Sequence, residues 1–355
     1  MILVLATSTG GTGTHVRSLA RGLVARGLDV TVYGPRSTEA MFAFTAAGAA
    51  FVAAEIAGGL HPYAAARAAL GLRRPVRDAV VVHAHGLRAA LVAGLVTPPG
   101  TPYVVTWHNA VGGGWVGAGA ERLVARRADL ALCVSPDLEA RVRALGGRDV
   151  RPGPVAGPPL PAPTRGRAEV RAELGAGDRP LVLTVGRLHP QKGYLSLIAA
   201  AALLAGRRPA PLFVAAGEGP QRGVLTAEIR RTGAPVELLG RRTDVADLLA
   251  AADVVVSASS WEGSPLAVQE ALRAGRPLVA TAVGGVAGLV GAGADLVAPA
   301  DPAALANAVA QVLDDPARAA ALAARAAQAV GRLPTEASTV HRVAAVYAEL
   351  LGRTE

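Results

Sequence analysis

The sequence predicts an α/β protein of two Rossmann-like, doubly wound domains facing across a cleft. Three observations carry that expectation. The chain, at 355 residues, exceeds the ordinary size of one domain. Short apolar runs alternate with helical patterns through both halves, as in parallel strands covered by helices. Between the halves, residues 151–163 read RPGPVAGPPLPAP, too stiff and too poor in amide donors for a sheet or helix. That segment is expected to be a linker. The domains are then 1–160, which binds acceptor, and 161–335, which binds donor. A last helix in 336–355 is expected to pack back across the junction.

In the first half the candidate strands are 2–6, 29–33, 80–83, 103–106 and 130–134. A helix over 17–26 places Leu19, Leu23 and Val24 on one apolar face. In the second half the strands are 181–185, 212–216, 236–239, 254–257 and 278–281, with later helices over 302–313 and 317–330. In the tail, Val343, Val346, Tyr347 and Leu350 make 341–351 amphipathic. Doubly wound sheets take their ligands at the C-terminal ends of the strands, so the cleft is the expected site.

Composition narrows the class. Half of the residues are apolar but only 3% are aromatic, which favours helices and buried strands over aromatic-rich sandwiches. No apolar run approaches the roughly 18 uncharged residues of a membrane span. The opening Met1-Ile2-Leu3-Val4-Leu5 has no basic stretch before it and reads as a first strand rather than a signal peptide. Cys133 is the single cysteine, which excludes a disulfide framework and fits a reducing cytoplasm.

The net charge of +9 rests almost wholly on arginine, Lys192 being the only lysine. Residues 1–160 hold 16 Arg against nine acids, while the remainder is close to balance. A basic first half suits an anionic acceptor or an anionic membrane surface. The stretch 61–78, with Arg67, Arg73, Arg74 and Arg77, is the candidate for a peripheral contact at the inner face of the membrane. Nucleic acid is disfavoured, because no aromatics interleave with the basic residues.

The most informative segment is WEGSPLAVQEALRAGRPLVAT, 261–281. Glu262 lies where a strand gives way to a turn, and Glu270 eight positions on lies inside the following helix. Ser264 is the expected cap and Pro265 the first helical residue, so the amides near Ser264, Pro265 and Leu266 offer a phosphate an electropositive helix end. In VGRLHPQKG, 185–193, Gly186 ends a buried strand and Arg187 and Lys192 flank one turn. A guanidinium and an ammonium so placed can clamp a pyrophosphate. AAGEGPQR, 215–222, is a turn whose Gly217 and Gly219 let backbone approach a ligand.

In this order the pieces resemble the retaining glycosyltransferases of family 4, of GT-B architecture. Their pattern of G-R-x(4)-K-G, G-x-G-P, A-D and E-x(7)-E is matched by Gly186-Arg187 with Lys192-Gly193, by 217–220, by Ala252-Asp253 and by Glu262 with Glu270. The resemblance implies that Arg187 and Lys192 neutralise a donor diphosphate, that Glu262 holds sugar hydroxyls and that Glu270 holds the ribose. Gly10 and Gly11 of STGGTGTH, 8–15, match the family's Gly-Gly loop. His108 of VVTWHNA matches its T-x-H loop, whose histidine reaches the donor sugar. His85 and Asn109 are weaker acceptor candidates. A dinucleotide site is disfavoured, since Val16 stands at the third glycine of G-x-G-x-x-G and no acid ends the second strand.

The chain departs from the pattern at Gly288, where a glutamate is frequent, and at Ser264, where phenylalanine is frequent. A zinc site from His83, His85 and His108 is not expected: the first two are taken to project to opposite faces, and no Cys or acid is near in sequence. The expected reaction is hexosyl or N-acetylhexosaminyl transfer from a UDP- or GDP-sugar to a sugar, lipid-linked or small-molecule acceptor. No cofactor and no metal are expected, and no Asp-x-Asp motif is present. The alternatives are an inverting nucleotide-sugar epimerase and a non-catalytic nucleotide-sugar-binding subunit.

Overall fold

The continuous apolar runs of both halves fold as parallel strands buried on both faces, which is why they show no in-and-out alternation. The computed structural model describes residues 1–56, 62–109 and 114–352. They form two compact units, Met1–Pro158 with Pro334–Glu355, and Pro159–Leu333.

The first unit runs β1 (Ile2–Leu5), α1 (Gly11–Val24), β2 (Thr31–Gly34), α2 (Arg36–Phe42), β3 (Ala50–Ala53), α3 (Pro62–Arg77), β4 (Val82–His85) and α4 (Leu87–Gly94). It continues through β5 (Tyr103–Trp107), α5 (Gly114–Arg127), β6 (Leu130–Cys133), α6 (Pro136–Ala144) and β7 (Val150–Pro152). The sheet order is β3-β2-β1-β4-β5-β6-β7, all parallel. The order reverses between β1 and β4, the switch point where such sheets leave room for a ligand.

The second unit runs α7 (Arg167–Glu173), β8 (Leu181–Val185), α8 (Tyr194–Leu204), β9 (Leu212–Ala216), α9 (Arg222–Thr232), β10 (Val236–Gly240) and α10 (Val245–Ala251). Then come β11 (Val254–Ser257), α11 (Leu266–Arg273), β12 (Leu278–Thr281), α12 (Val286–Val290), β13 (Asp295–Val297), α13 (Pro302–Asp314) and α14 (Pro316–Val330). Its parallel order is β10-β9-β8-β11-β12-β13, with the switch point between β8 and β11.

The last helix, α15 (Glu336–Gly352), returns to the first unit. Val343, Val346, Tyr347 and Leu350 are all buried there, in one core with Leu19 and Leu23 of α1. The two helices approach so closely that a Cβ on Gly22 would lie 2.4 Å from Val340. Arg21–Glu336 and Arg151–Glu349 ion pairs hold α15 at both ends.

Three strands, β3, β7 and β13, carry no recognisable sequence signal. All three are sheet edges with partly exposed residues, so no continuous apolar run marks them. β7 corrects the reading of 151–163 as wholly outside the sheets: Arg151 and Pro152 pair with β6. Pro152 is tolerated because it ends an edge strand, and the next amide, Gly153 N–H, donates to Cys133 O at 2.7 Å. Residues 153–163 have no regular structure.

The basic stretch forms α3, with His61 outside the described residues. Ala68, Ala69, Leu72 and Val76 face inward, and Arg67, Arg73, Arg74 and Arg77 are exposed. No helix of the described residues is long and apolar enough to cross a membrane.

Candidate active site

The candidate residues fall into two groups, each at the C-terminal strand ends beside the switch point of its own sheet. In the second unit, β8 ends at Val185 and the chain turns through Gly186 and Arg187 into a 3-10 turn, Pro190–Lys192. β11 ends at Ser257 and leads into Ser259 and Glu262. The two loops are joined: Ser260 N–H donates to Gln191 O at 2.8 Å, and Gln191 Nε2 donates to Trp261 O at 2.8 Å.

At their meeting point Lys192 Nζ lies 2.5 Å from Glu262 Oε1, and Ser259 Oγ donates to the same oxygen at 2.6 Å. Glu262 is 5% exposed, so its charge is removed from water and compensated by these partners. Lys192 is therefore an ion-pair partner in this structure, not a loose cation. Arg187 is exposed and makes no ion pair among the described residues.

Backbone approach makes this geometry. A Cβ on Gly193 would lie 1.9 Å from Ala258 O, and one on Gly284 would lie 1.9 Å from Glu262 O. Both residues also have positive φ, +66° and +51°, so glycine is required twice over. Gly217 and Gly219 are likewise close-approach positions, but toward the chain itself: their added Cβ atoms would lie 1.8 Å from Gly186 O and 2.3 Å from Leu188 O. The approach expected for a ligand is used, on those faces, by the β8 loop. Tyr194 OH, donating to Gly186 O at 2.7 Å, fixes that loop from below.

The helix α11 starts at Leu266, with Pro265 in the N-cap position. This corrects Ser264 as the cap residue; its hydroxyl instead accepts from Gln269 Nε2 at 3.2 Å. Glu270 lies one turn into α11, partly buried. Burial pushes its carboxyl above the ordinary value, with Arg273 opposing.

In the first unit, α1 already begins at Gly11, directly after Gly10, so most of the Gly-rich segment is the first turn of a helix. Gly10 and Gly11 are exposed, and a Cβ on Gly10 would meet nothing within 4 Å. Gly13 is buried against Phe42. This helical start swings His15 inward, where it is 4% exposed.

His85 ends β4, in register with Leu5 at the end of β1 and with Thr106 in β5. His108 follows β5, partly buried, and Asn109 is exposed. His85 Nδ1 and His108 Nε2 lie 3.3 Å apart. The His15 ring meets both edge-on, with centroids 5.3 and 5.4 Å away.

His83 and His85 project to the same face, with ring centroids 4.2 Å apart, which corrects the expected opposition. Residues two apart in a strand share a face. His83 is held by Tyr347 OH at 2.6 Å on Nδ1 and Thr106 Oγ1 at 2.7 Å on Nε2. Burial lowers the pKa of all four rings, His15 to about 4 and His83 to about 3, so they are neutral near pH 7.

The fold thus joins Lys192 to Glu262, and His85 to His108. Ser259, Gln191, Tyr194 and His15 were not singled out by sequence. Ser259 and Gln191 adjoin the recognised segments, and His15 closes the Gly-rich one, but only tertiary contact gives each a role.

Two parallel α/β units, each with polar residues gathered at its switch point, define a GT-B type of enzyme. Residues 10–156 match the glycosyl transferase 4-like domain, and 166–329 match glycosyl transferases group 1. Glycogen synthase of Mycobacterium tuberculosis is 33% identical over 353 residues, covering 87% of this chain and 84% of that protein. The chain belongs to the group 1 glycosyltransferases, family 4, and is a transferase. Sucrose-phosphate synthase of Thermosynechococcus elongatus superposes with a TM-score of 0.82 at 21% identity, over 99% of this chain and 100% of that one. Anabaena HepE in complex with UDP-glucose superposes at 0.81 with 21% identity, over 98% and 100%.

Proposed function

We propose that this glycosyltransferase moves a hexosyl or N-acetylhexosaminyl group from a nucleoside diphosphate sugar, with retention and without a resident metal. The observation that carries the reading is the Lys192–Glu262 pair at the β8–β11 switch point. Such a pair suits a donor whose two ends differ: an anionic diphosphate that draws on Lys192 and Arg187, and sugar hydroxyls that donate to Glu262. Cations already in place at the leaving group, aided by the amides at the start of α11, stabilise departing charge in the manner that a metal provides elsewhere.

Glu270, its carboxyl raised by burial, is suited to accept from ribose hydroxyls. The neutral His108 ring is suited to a hydrogen bond with a sugar hydroxyl rather than to nucleophilic attack. Among bases, uridine is favoured, since HepE is a structural neighbour seen with UDP-glucose. The test is a panel of UDP-, GDP- and ADP-sugars, read by thermal stabilisation and donor hydrolysis. The anomeric configuration of the transferred sugar, read by proton NMR, decides retention; an inverted product or indifference to every donor overturns the reading.

The acceptor side carries a second proposal. The four exposed arginines of α3 suit electrostatic contact with anionic lipid at the cytoplasmic membrane face, each contributing on the order of 1 kcal/mol at low salt. Ala68, Ala69, Leu72 and Val76 of α3 are packed inward, and Leu70 is the one large apolar side chain exposed among its described residues. The contact is therefore mainly with headgroups rather than by insertion. Flotation with anionic but not neutral vesicles, abolished by changing Arg73, Arg74 and Arg77 to Glu, is the expected result. A wild-type protein that stays at the bottom with anionic vesicles points to a soluble acceptor.

A further inference from the structure

Four neutral histidine rings meet at the β1, β4 and β5 strand ends, and among the described residues one hydrogen bond joins two of them, His85 Nδ1 to His108 Nε2 at 3.3 Å. A neutral imidazole carries one N–H and one bare lone pair, so one of these nitrogens donates and the other accepts. The choice fixes both rings, because the second nitrogen of each is then in the opposite state.

The two remaining nitrogens differ in surroundings. His85 is 2% exposed, and its Nε2 is buried with no partner among the described residues. His108 is partly buried, and its Nδ1 bonds to none of the described residues. If His108 were the donor, His85 would carry its proton on Nε2, a buried N–H with nothing to receive it. Buried N–H groups left without an acceptor are rarer in folded proteins than acceptors left without a donor. The proton of His85 therefore belongs on Nδ1, facing His108.

We propose that His85 is a positioning residue: it donates from Nδ1 to His108 Nε2 and sets His108 in the Nδ1–H form. The proposal rests on the reading of His108 as the group that meets the donor sugar, and it names the atom that does so. With Nε2 engaged, the N–H at Nδ1 is the one free polar group of the ring. It donates to a sugar hydroxyl oxygen, and no lone pair is left with which the ring could take a proton as a base or attack as a nucleophile.

The packing around His85 suits a fixed ring. Its strand sets it level with Thr106 of β5, two residues before His108. The His83 ring lies 4.2 Å away, itself held by Tyr347 OH on Nδ1 and by Thr106 Oγ1 on Nε2. The His15 ring meets His85 edge-on at 5.3 Å. Turning His85 away from His108 would drive its ring into these neighbours. Tyr347 lies on α15, so the last helix of the chain helps to hold a ring at the site.

The tautomer is read from imidazole nitrogen chemical shifts of the full-length protein near neutral pH. That measurement needs no substrate, so its failure is separate from failure of the transferase reading. The His108 signals are those lost in His108→Gln. Wild type is expected to show His108 protonated at Nδ1, and His85→Ala to move it toward the Nε2–H form that an unconstrained neutral imidazole prefers. With UDP-glucose as donor, His85→Ala is expected to lower kcat about tenfold or more while KM stays within about threefold. His85→Asn, whose amide N–H can stand in for Nδ1–H, is expected to recover most of that loss. If His85→Ala fails to fold by circular dichroism, the wild-type spectrum still decides. His108 protonated at Nε2 in wild type, an unchanged His108 signal in His85→Ala, or an undiminished kcat in that variant overturns the proposal.

Discussion

The two switch points solve the same problem in opposite ways. At β8 and β11 the polar groups are charged and already matched: Lys192 and Ser259 share one oxygen of Glu262, and glycine contacts lock the two loops together. At β1, β4 and β5 the polar groups are neutral rings, and three buried nitrogens, His15 Nε2, His85 Nε2 and Trp107 Nε1, have no partner among the described residues. A ligand at the first must exchange an existing pair, whereas the second offers ring nitrogens that are not yet paired. The second unit's site can therefore be rigid before its ligand arrives.

The largest effect that would break this contrast is on turnover. Glu262→Ala, Lys192→Ala and Arg187→Ala are each expected to lower donor turnover by about 100-fold or more, roughly 3 kcal/mol of transition-state stabilisation. Only the first two should also change stability. Lys192→Ala leaves a buried carboxylate without its ammonium, at about 2 kcal/mol once the partial exposure of Lys192 is counted. Arg187→Ala has no pair to break, and urea unfolding should match wild type. Turnover within a few fold of wild type for Arg187→Ala and Lys192→Ala together would remove the clamp.

Next in size is a pair of glycine changes. Gly217→Ala drives a methyl toward Gly186 O and should cost about 3 kcal/mol by urea unfolding, because backbone cannot rotate out of the way. Gly10→Ala, with φ at −155° and open space, should stay within about 0.5 kcal/mol of wild type. Equal effects at both would mean that the close approaches do not hold the second site together.

Smaller still is Tyr347→Phe, which deprives buried His83 of its Nδ1 partner and should cost about 1–2 kcal/mol. Its effect belongs to the first unit alone.

The smallest is a pH effect in the second. Burial pushes Asp253 upward, but Leu181 N–H and the Arg167 guanidinium hold it on balance below the ordinary carboxylate range. A carboxylate lowered by folding gives stability that is present above its unfolded value and lost as pH falls through its folded value. Asp253→Asn should therefore flatten the acid limb of the stability curve and leave the neutral region's slope unchanged. An acid limb as steep as that of wild type would assign it to other carboxylates.

The sequence by itself determined the two parallel sheets, because strands buried on both faces must be written as uninterrupted apolar runs. It also determined the candidate residues that chemistry marks locally: the lone Lys192, Arg187 beside Gly186, and Glu262 with Glu270. What it could not mark were edge strands such as β7, whose exposed residues need no apolar run, and groups whose role comes from a distant partner. Ser259 and His15 look ordinary in their own segments. Only the tertiary structure decided that Lys192 meets Glu262 across 70 residues, that Gly217 serves the chain's own backbone, and that His15 rather than His83 joins His85 and His108. Local patterns report burial and backbone freedom; pairing between segments depends on sheet order and register, which no single stretch of sequence contains.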